Sequence, residues 1–214
     1  MNFDLQKTLE IIKNNKDFLK LKNVIEDNVS HHGETSFEHC IQTLEKAQEL
    51  ITGNLITNDR AKKKFNDFIN QEIDGIKKKD LLLIIALIHD CGKMIILDGK
   101  PLQLTPKKPG HGYWGSLLVP GILQETGLSE TAIVYIANCV KLHLAGAECW
   151  SLGITGDELL WQLKLRAENF HAEMIFNIYC DLFYNKTFQD KIHLPLELLN
   201  DPQTYERVEY SIEG

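Results

Sequence analysis

The run LLLIIALI, Leu81–Ile88, constrains the fold of this chain more than any other stretch. A helix without a polar face must be covered by other elements on all sides, so this run predicts a buried central helix. The run is followed directly by His89 and Asp90 and, three residues further on, by Lys93. The buried helix therefore delivers an imidazole and a carboxylate side by side, with a cation just beyond them.

The ends of this predicted helix carry residues typical of helix termini. Asp80 precedes the apolar run and can accept hydrogen bonds from the free N–H groups of a first turn. Gly92 tolerates left-handed backbone angles and so predicts the helix end. A buried carboxylate at Asp90 is costly without a positive partner, and a metal ion held together with His89 would satisfy it. The alternative is a neutral His89 beside an Asp90 that only caps the helix end.

Composition and charge narrow the class of protein. A chain of 214 residues with 43% hydrophobic and 25% charged residues is typical of a globular domain with a real core. The net charge of −7 argues against broad nonspecific nucleic-acid binding, although a metal site could still take a small phosphate ligand. The 5 cysteines form no CxxC pair, which predicts reduced thiols in a cytoplasmic protein. No signal peptide and no membrane span are expected from the sequence.

Amphipathic spacing predicts helices along most of the chain. A T-x-x-E capping box formed by Thr35 and Glu38 marks the start of one helix, and Ser129 marks the start of another. The predicted helices cover one or two parts of 4–29, then 35–51, the lysine-rich stretch 55–79, 80–91, 111–125, 129–143 and 155–184. Turns or loops are expected at 30–34, 94–110 and 144–156. No convincing alternation of apolar and polar residues predicts a strand, so the expected fold is all-α, a single bundle-like domain over residues 1–214.

Three separated segments place potential metal ligands on predicted helices. One ligand lies in a first turn, two end the apolar helix, and one lies in the late apolar stretch IYCDLFY; they are His39, His89, Asp90 and Asp181. Two imidazoles and two carboxylates can satisfy one divalent ion and leave positions for water and substrate. Asp190 is another candidate carboxylate, but its surroundings are more polar, so Asp181 is preferred.

The order of these residues, with the central pair inside LIHDCGK, resembles that of the HD-domain metal-dependent phosphohydrolase superfamily over about residues 31–185. HDCGK stands where that family usually has HDIGK or a near variant. His111 in GHGYWGSLL and His143 in VKLHL stand where many members place further site histidines. The stretch HHGETSFEH is similar to the one that leads into the HD domains of bacterial tRNA nucleotidyltransferases. The resemblance implies a stand-alone HD domain here, without the nucleotidyltransferase region.

The resemblance implies a helical HD-type fold and a divalent transition-metal cofactor, one or two ions of Fe, Mn, Co, Ni or Zn. The residues implied to bind the metal are His39, His89, Asp90 and Asp181. His111 and His143 would hold a second metal, or bind and protonate a substrate phosphate; the alternative is that they only cap helix ends. Lys93 would neutralise a phosphate oxygen, or it is an ordinary surface lysine.

The function expected from these features is metal-assisted hydrolysis of a phosphate ester on a small substrate, a nucleotide by preference, with neither extended nucleic acid nor a membrane as partner. The candidate catalytic residues are Asp90, Lys93, His111 and His143. The alternatives are a cyclic-nucleotide or 2′,3′-cyclic phosphodiesterase, an RNA-end-processing domain, and a noncatalytic sensor of a metal–nucleotide complex. His31, His32 and Glu34 form either a polar turn or a substrate-binding edge, while His171 and His193 are assigned to the structure or the surface.

Overall fold

The computed structural model describes residues 3–28, 31–97, 100–101, 110–185 and 189–208, and the protein is predominantly α-helical. The helices are α1 (Leu5–Lys13), α2 (Ser36–Ile51), α3 (Asp59–Ile69), α4 (Lys78–Ile88), α5 (His111–Leu123), α6 (Glu130–Leu142), α7 (Ala145–Ser151), α8 (Gly156–Ala167), α9 (His171–Leu182) and α10 (His193–Leu199). Short antiparallel strand pairs accompany them: β1 (Ile25–Asn28) with β2 (His31–Thr35), β3 (Glu72–Ile73) with β4 (Ile76–Lys77), and β5 (Ile96–Leu97) with β6 (Lys100–Pro101). The prediction of an all-α fold is confirmed. Within the described residues, no helix has the length and apolar character needed to cross a membrane.

Helix α4 is the centre of the fold and carries the predicted apolar run. Every residue of Leu81–Ile88 is buried, and α4 packs against α2, α6 and α9. The prediction of a helix covered on all sides is therefore confirmed. Asp80 is not its N-cap, because the helix begins at Lys78, directly after the hairpin of β3 and β4. Asp80 lies in the first turn instead, where a carboxylate is still favourable beside the positive end of the helix dipole.

Gly92 does not end the helix with left-handed backbone angles, and that prediction is wrong. It lies in the 3-10 segment Cys91–Met94, where it allows α5 to approach. A Cβ atom at position 92 would lie 1.9 Å from the backbone oxygen of His111 and 2.7 Å from the backbone nitrogen of Gly115. Backbone atoms cannot swing aside as the end of a side chain can. Glycine is therefore required where the segment after Asp90 meets the start of α5.

We expect Gly92→Ala to lower the free energy of unfolding by about 3 kcal/mol, the upper part of the usual range for overpacking, because the added methyl group meets backbone atoms. Urea denaturation followed by circular dichroism measures the change. Gly121→Ala is the matched control, since a Cβ atom there meets nothing within 4 Å. Equal losses in the two variants would contradict the assignment of Gly92 to a close approach.

The lysine-rich stretch 55–79 is not one helix. Helix α3 ends at Ile69, and the hairpin of β3 and β4 follows it. The turn of this hairpin is Asp74-Gly75, whose φ angles are 51° and 79°. Two residues with positive φ are what the favoured two-residue hairpin turn requires, and Asp-Gly is a strong signal for it. This correction could therefore have been made from the sequence.

The expected Gly-rich loop 144–156 contains a helix, α7, in which Trp150 is buried. Gly146 belongs to this helix because α9 packs closely against it: a Cβ atom at 146 would lie 2.4 Å from Ile178 Cδ1. The glycine therefore marks close helix packing. The expected long helix over 155–184 is two helices, α8 and α9, separated by the 3-10 segment Glu168–Phe170.

Two further predicted segments contain strands. Within 4–29, helix α1 and the 3-10 segment Phe18–Asn23 precede β1, and the expected turn at 30–34 overlaps its partner β2. Within the expected loop 94–110, β5 pairs with β6, while residues 98–99 and 102–109 lie outside the described part of the chain. Strands this short show too few alternations for the sequence pattern to reveal them.

Helices α4, α6 and α9 run in the same direction between two buried polar clusters. Towards their N-terminal ends, Glu173 of α9 accepts hydrogen bonds from Lys78 Nζ at 2.7 Å and from the Tyr135 hydroxyl at 2.8 Å. Their C-terminal ends carry His89, His143 and Asp181. The common direction thus brings three potential ligands from distant parts of the sequence to one end of the core.

We expect Glu173→Gln to lower the free energy of unfolding by about 3 kcal/mol, because removing one partner of a buried ion pair leaves the other charge uncompensated. The side chains of Glu173 and Lys78 are only 1% and 11% exposed, so water cannot replace the lost partner. Chemical denaturation measures the loss. A variant as stable as the parent protein would contradict a stabilising role for this pair.

Candidate metal centre

The start of helix α2 places His39 in the core. Thr35 Oγ1 accepts a hydrogen bond from the Glu38 backbone N–H at 3.2 Å, and the Glu38 carboxylate accepts one from the Thr35 backbone N–H at 2.8 Å. The predicted capping box is therefore confirmed. It fixes the first turn of α2, so that His39, which follows Glu38, points into the core and is fully buried.

The first candidate metal group consists of His39, His89 and Asp181, whose ligand atoms lie within 4.8 Å of one another. His39 Nε2 is 2.9 Å from Asp181 Oδ1, and His89 Nε2 is 3.6 Å from the same oxygen. The two imidazole rings meet edge to face with their centroids 5.3 Å apart. Helices α2, α4 and α9 each contribute one member of this group.

The second candidate metal group consists of Asp90, His111 and His143. His111 Nε2 lies 3.0 Å from His143 Nε2 and 3.0 Å from Asp90 Oδ1. His111 is the first residue of α5, and His143 ends α6. The close approach of α5 at Gly92 therefore also determines how near His111 comes to Asp90.

Asp90 lies between the two groups. Its Oδ2 atom is 3.5 Å from His39 Nε2 and 3.3 Å from His89 Nε2. Its Oδ1 atom is 3.0 Å from His111 Nε2 and 3.4 Å from His143 Nε2. Each carboxylate oxygen thus faces a different pair of histidines, an arrangement that allows one side chain to contact two cations.

Backbone carbonyls determine which ring nitrogens face the cluster. His89 Nδ1 lies 2.9 Å from the Ala86 carbonyl oxygen, and His143 Nδ1 lies 2.7 Å from that of Val140. A carbonyl only accepts, so each Nδ1 carries a proton and each ring, when neutral, turns an Nε2 lone pair inward. His89 Nε2 is buried, and carboxylate oxygens lie 3.3 and 3.6 Å away from it. A lone pair on Nε2 would repel these oxygens, so the site requires either a proton on Nε2 or a cation between the atoms.

The charges of the cluster shift the pKa values of its members. Burial disfavours a charged His89, but the carboxylates of Asp90 and Asp181 outweigh burial and raise the pKa of His89 to about 10. Burial also opposes ionisation of the two carboxyl groups, yet neighbouring histidines, and Lys93 in the case of Asp90, hold their pKa values well below the usual range. Burial lowers the pKa of His111. The ionised carboxylates therefore demand positive charge, which imidazole protons or a metal ion can supply.

Solvent reaches the cluster at two of its members. The Asp181 side chain is 25% exposed and that of His111 is 14% exposed. The remaining members are at most 3% exposed; they are His39, His89, Asp90 and His143. Asp181 belongs to the first group and His111 to the second, so each group has one member that solvent reaches.

Lys93 is not an ordinary surface residue, because its side chain is only 16% exposed. Its Nζ atom lies 2.7 Å from Asp90 Oδ2 and 2.7 Å from Glu26 Oε1. Glu26 was not among the residues predicted to lie near the cluster. It lies in β1, a stretch interpreted as part of a helix, and it forms no motif with the residues around it. No sequence signal would have placed it beside the cluster.

The other candidate residues are not among the members of the two groups found in the described part of the chain. The side chains of His31 and His32 fall outside the described part of the structure, and Glu34 lies in β2, partly exposed. Asp190 is exposed in the 3-10 segment Gln189–Lys191 and belongs to neither group, in keeping with the preference for Asp181. His171 is buried at the start of α9, whereas His193 is exposed at the start of α10.

The chain was also compared with known proteins. No protein-family model matches it, and no curated protein matches it at a significant level. Its helical architecture and its two buried groups of histidine and aspartate residues are compatible with the HD-type fold that the sequence resembles. These residues have the donor types that bind divalent transition metals, and they can hold a metal ion.

Proposed function

We propose that this protein is a metal-dependent phosphohydrolase of the HD type that cleaves a phosphate ester of a small nucleotide. The observation that supports this proposal most is the position of Asp90, each of whose carboxylate oxygens faces a different pair of histidines. A carboxylate in this position can bind two divalent ions at once. Paired ions separated by about 3.5–4 Å are typical of phosphatases and nucleases.

In this proposal His39, His89 and Asp181 would hold a first ion and His111 and His143 a second, and Asp90 would serve both. When bound, divalent ions supply Lewis acidity that activates water near neutral pH and offsets the charge developing on phosphoryl oxygens. The carbonyl groups of Ala86 and Val140 hold two of the imidazoles in the tautomer that metal binding needs. The ligands are thus oriented before any ion or substrate arrives.

The exposure of the ligands favours a substrate with a small reacting group. A phosphoryl group reaches the centre between Asp181 and His111, the two ligands with solvent exposure. The choice of a nucleotide as the substrate rests on the resemblance to HD-type phosphohydrolases.

The proposal is tested by assaying the purified protein with Mn²⁺, Co²⁺ or Ni²⁺ against aryl phosphate monoesters and diesters, linear nucleotides, and cyclic nucleotides. We expect phosphate-ester hydrolysis that a chelator abolishes and added Mn²⁺ restores. The preferred ester separates a phosphomonoesterase from a phosphodiesterase. Tight metal binding without turnover on any of these substrates would contradict the enzyme and favour a noncatalytic metal–nucleotide sensor.

A further inference from the structure

A largely buried ion pair joins strand β1 to the candidate metal centre. Lys93 Nζ lies 2.7 and 2.9 Å from the two carboxylate oxygens of Glu26, and 2.7 Å from Asp90 Oδ2. The side chain of Glu26 is 6% exposed. An ammonium group has three N–H donors, and here three carboxylate oxygens lie within hydrogen-bonding distance of it. The carboxylates of the protein itself therefore already engage the Lys93 ammonium group.

We propose that Glu26 is a positioning residue of the metal centre, which acts through Lys93 to hold Asp90 Oδ2 on the side of His39 and His89. This inference rests on the proposed metal centre and goes beyond it in two respects. It assigns a role to Glu26, a residue with no place in the metal groups themselves. It also assigns Lys93 to the support of a metal ligand, not to the binding of phosphate.

The geometry of Asp90 explains why such support is needed. The terminal torsion of an aspartate side chain has a broad energy profile, so packing alone does not fix the plane of its carboxylate. Binding two ions requires that Oδ1 and Oδ2 keep facing different histidine pairs. Lys93 holds one of these oxygens, but its own four-carbon stem is flexible. Glu26 removes that flexibility by binding the same ammonium group through both of its oxygens.

Glu26 is itself anchored to the helix that carries a metal ligand. The Ser36 hydroxyl donates a hydrogen bond to Glu26 Oε1 at 2.7 Å. Ser36 is the first residue of α2 and lies three residues before His39. A continuous set of short contacts therefore runs from the start of α2 through Glu26 and Lys93 to Asp90. Strand β1 thereby ties the orientation of Asp90 to the helix that supplies His39.

Charge gives a second reason for the presence of Glu26. A lysine beside a metal ligand repels an incoming cation, and the effect is strong where burial limits screening by water. The carboxylate of Glu26 neutralises Lys93, so the lysine can orient Asp90 without weakening the attraction of the centre for a divalent ion. Removing the charge of Glu26 exposes the metal groups to the full charge of Lys93.

We expect Glu26→Gln to weaken Mn²⁺ binding about 10- to 100-fold, the usual effect of removing a partner that orients a metal ligand. Isothermal titration of the full chain with Mn²⁺ measures the affinity without reference to any substrate. Glu173→Gln is the matched control, because Glu173 is also buried and also accepts from a lysine and a hydroxyl group, at the other end of the same helices. The control should lose stability but keep its Mn²⁺ affinity within about twofold. Unchanged affinity in Glu26→Gln, or an equal loss in the control, would overturn the proposal.

The double variant Glu26→Gln/Lys93→Met tests whether Glu26 acts through Lys93. Because it removes both charges of the ion pair, it can also be studied if a single variant fails to fold. We expect it to bind Mn²⁺ within about twofold of Lys93→Met alone. If the losses of Mn²⁺ affinity in the two single variants multiply in the double variant, the proposal is overturned. It is also overturned if Lys93→Met raises KM and leaves Mn²⁺ affinity unchanged, because Lys93 would then be a phosphate ligand. If the parent protein does not bind Mn²⁺, the proposed function is contradicted as well. If the parent binds Mn²⁺ and Glu26→Gln binds it with the same affinity, only the role of Glu26 is contradicted.

Discussion

Asp90→Ala is expected to lose both metal ions and to lower kcat by about 10³-fold or more. The reason is that the oxygens of Asp90 approach both histidine pairs. Lewis acidity contributes several kcal/mol to the stabilisation of a phosphoryl transition state, and each factor of ten in rate corresponds to about 1.4 kcal/mol. The helices should remain formed, because the core packing of α4 does not depend on Asp90.

The measurement for this variant is metal content by elemental analysis together with turnover of the best substrate. Asp190→Ala is the matched control, since Asp190 is an exposed carboxylate outside both metal groups. It should keep the metal content and the rate of the parent protein. Full activity in Asp90→Ala, with a circular dichroism spectrum like that of the parent, would rule out the proposed centre.

His143→Ala is expected to keep the first ion, lose the second, and lower kcat about 100-fold, the scale of losing one preorganised electrostatic contact to the transition state. The first ion should stay because its proposed ligands, His39, His89 and Asp181, are unchanged by the substitution. His143 Nε2 faces His111 and Asp90, so its removal opens the second group, while His89, whose ring centroid lies 5.4 Å from that of His143, keeps its own contact with the Ala86 carbonyl oxygen.

Titration with Mn²⁺ and steady-state kinetics test this separation of the two groups. His193→Ala is the control, because His193 is an exposed histidine at the start of α10. A loss of both ions in His143→Ala would mean that the two groups cannot be filled separately. An unchanged rate would return His143 to the role of a helix-capping residue.

The features that could be predicted from the sequence are those determined by residues close together in the chain. The uninterrupted apolar run before His89 leaves no polar face, so a buried α4 was the only consistent interpretation. The capping box at Thr35 and the start of α6 after Ser129 depend on residues three positions apart, and both were predicted correctly. The four residues predicted to bind a first metal ion lie in one cluster, although the structure divides them between two groups that share Asp90.

The features that were missed depend on contacts between distant parts of the chain. Glu26 lies in β1, which pairs with β2, and its partner Lys93 lies 67 positions away. Gly92 and Gly146 suggested a helix end and a loop, yet at both positions another helix lies close to the glycine. A glycine in a sequence does not reveal whether it serves a turn or a close contact, since only the neighbouring element decides.

The most direct test of the account is the number and coupling of Mn²⁺ ions bound by the reconstituted full chain, measured by elemental analysis and electron paramagnetic resonance. Because Asp90 is proposed to contact both ions, we expect about two ions per chain and the spectrum of a magnetically coupled pair, replaced in Asp90→Ala by free Mn²⁺. Two uncoupled ions would contradict the bridging role of Asp90, and no tightly bound ion after reconstitution would leave these histidines and aspartates as core residues.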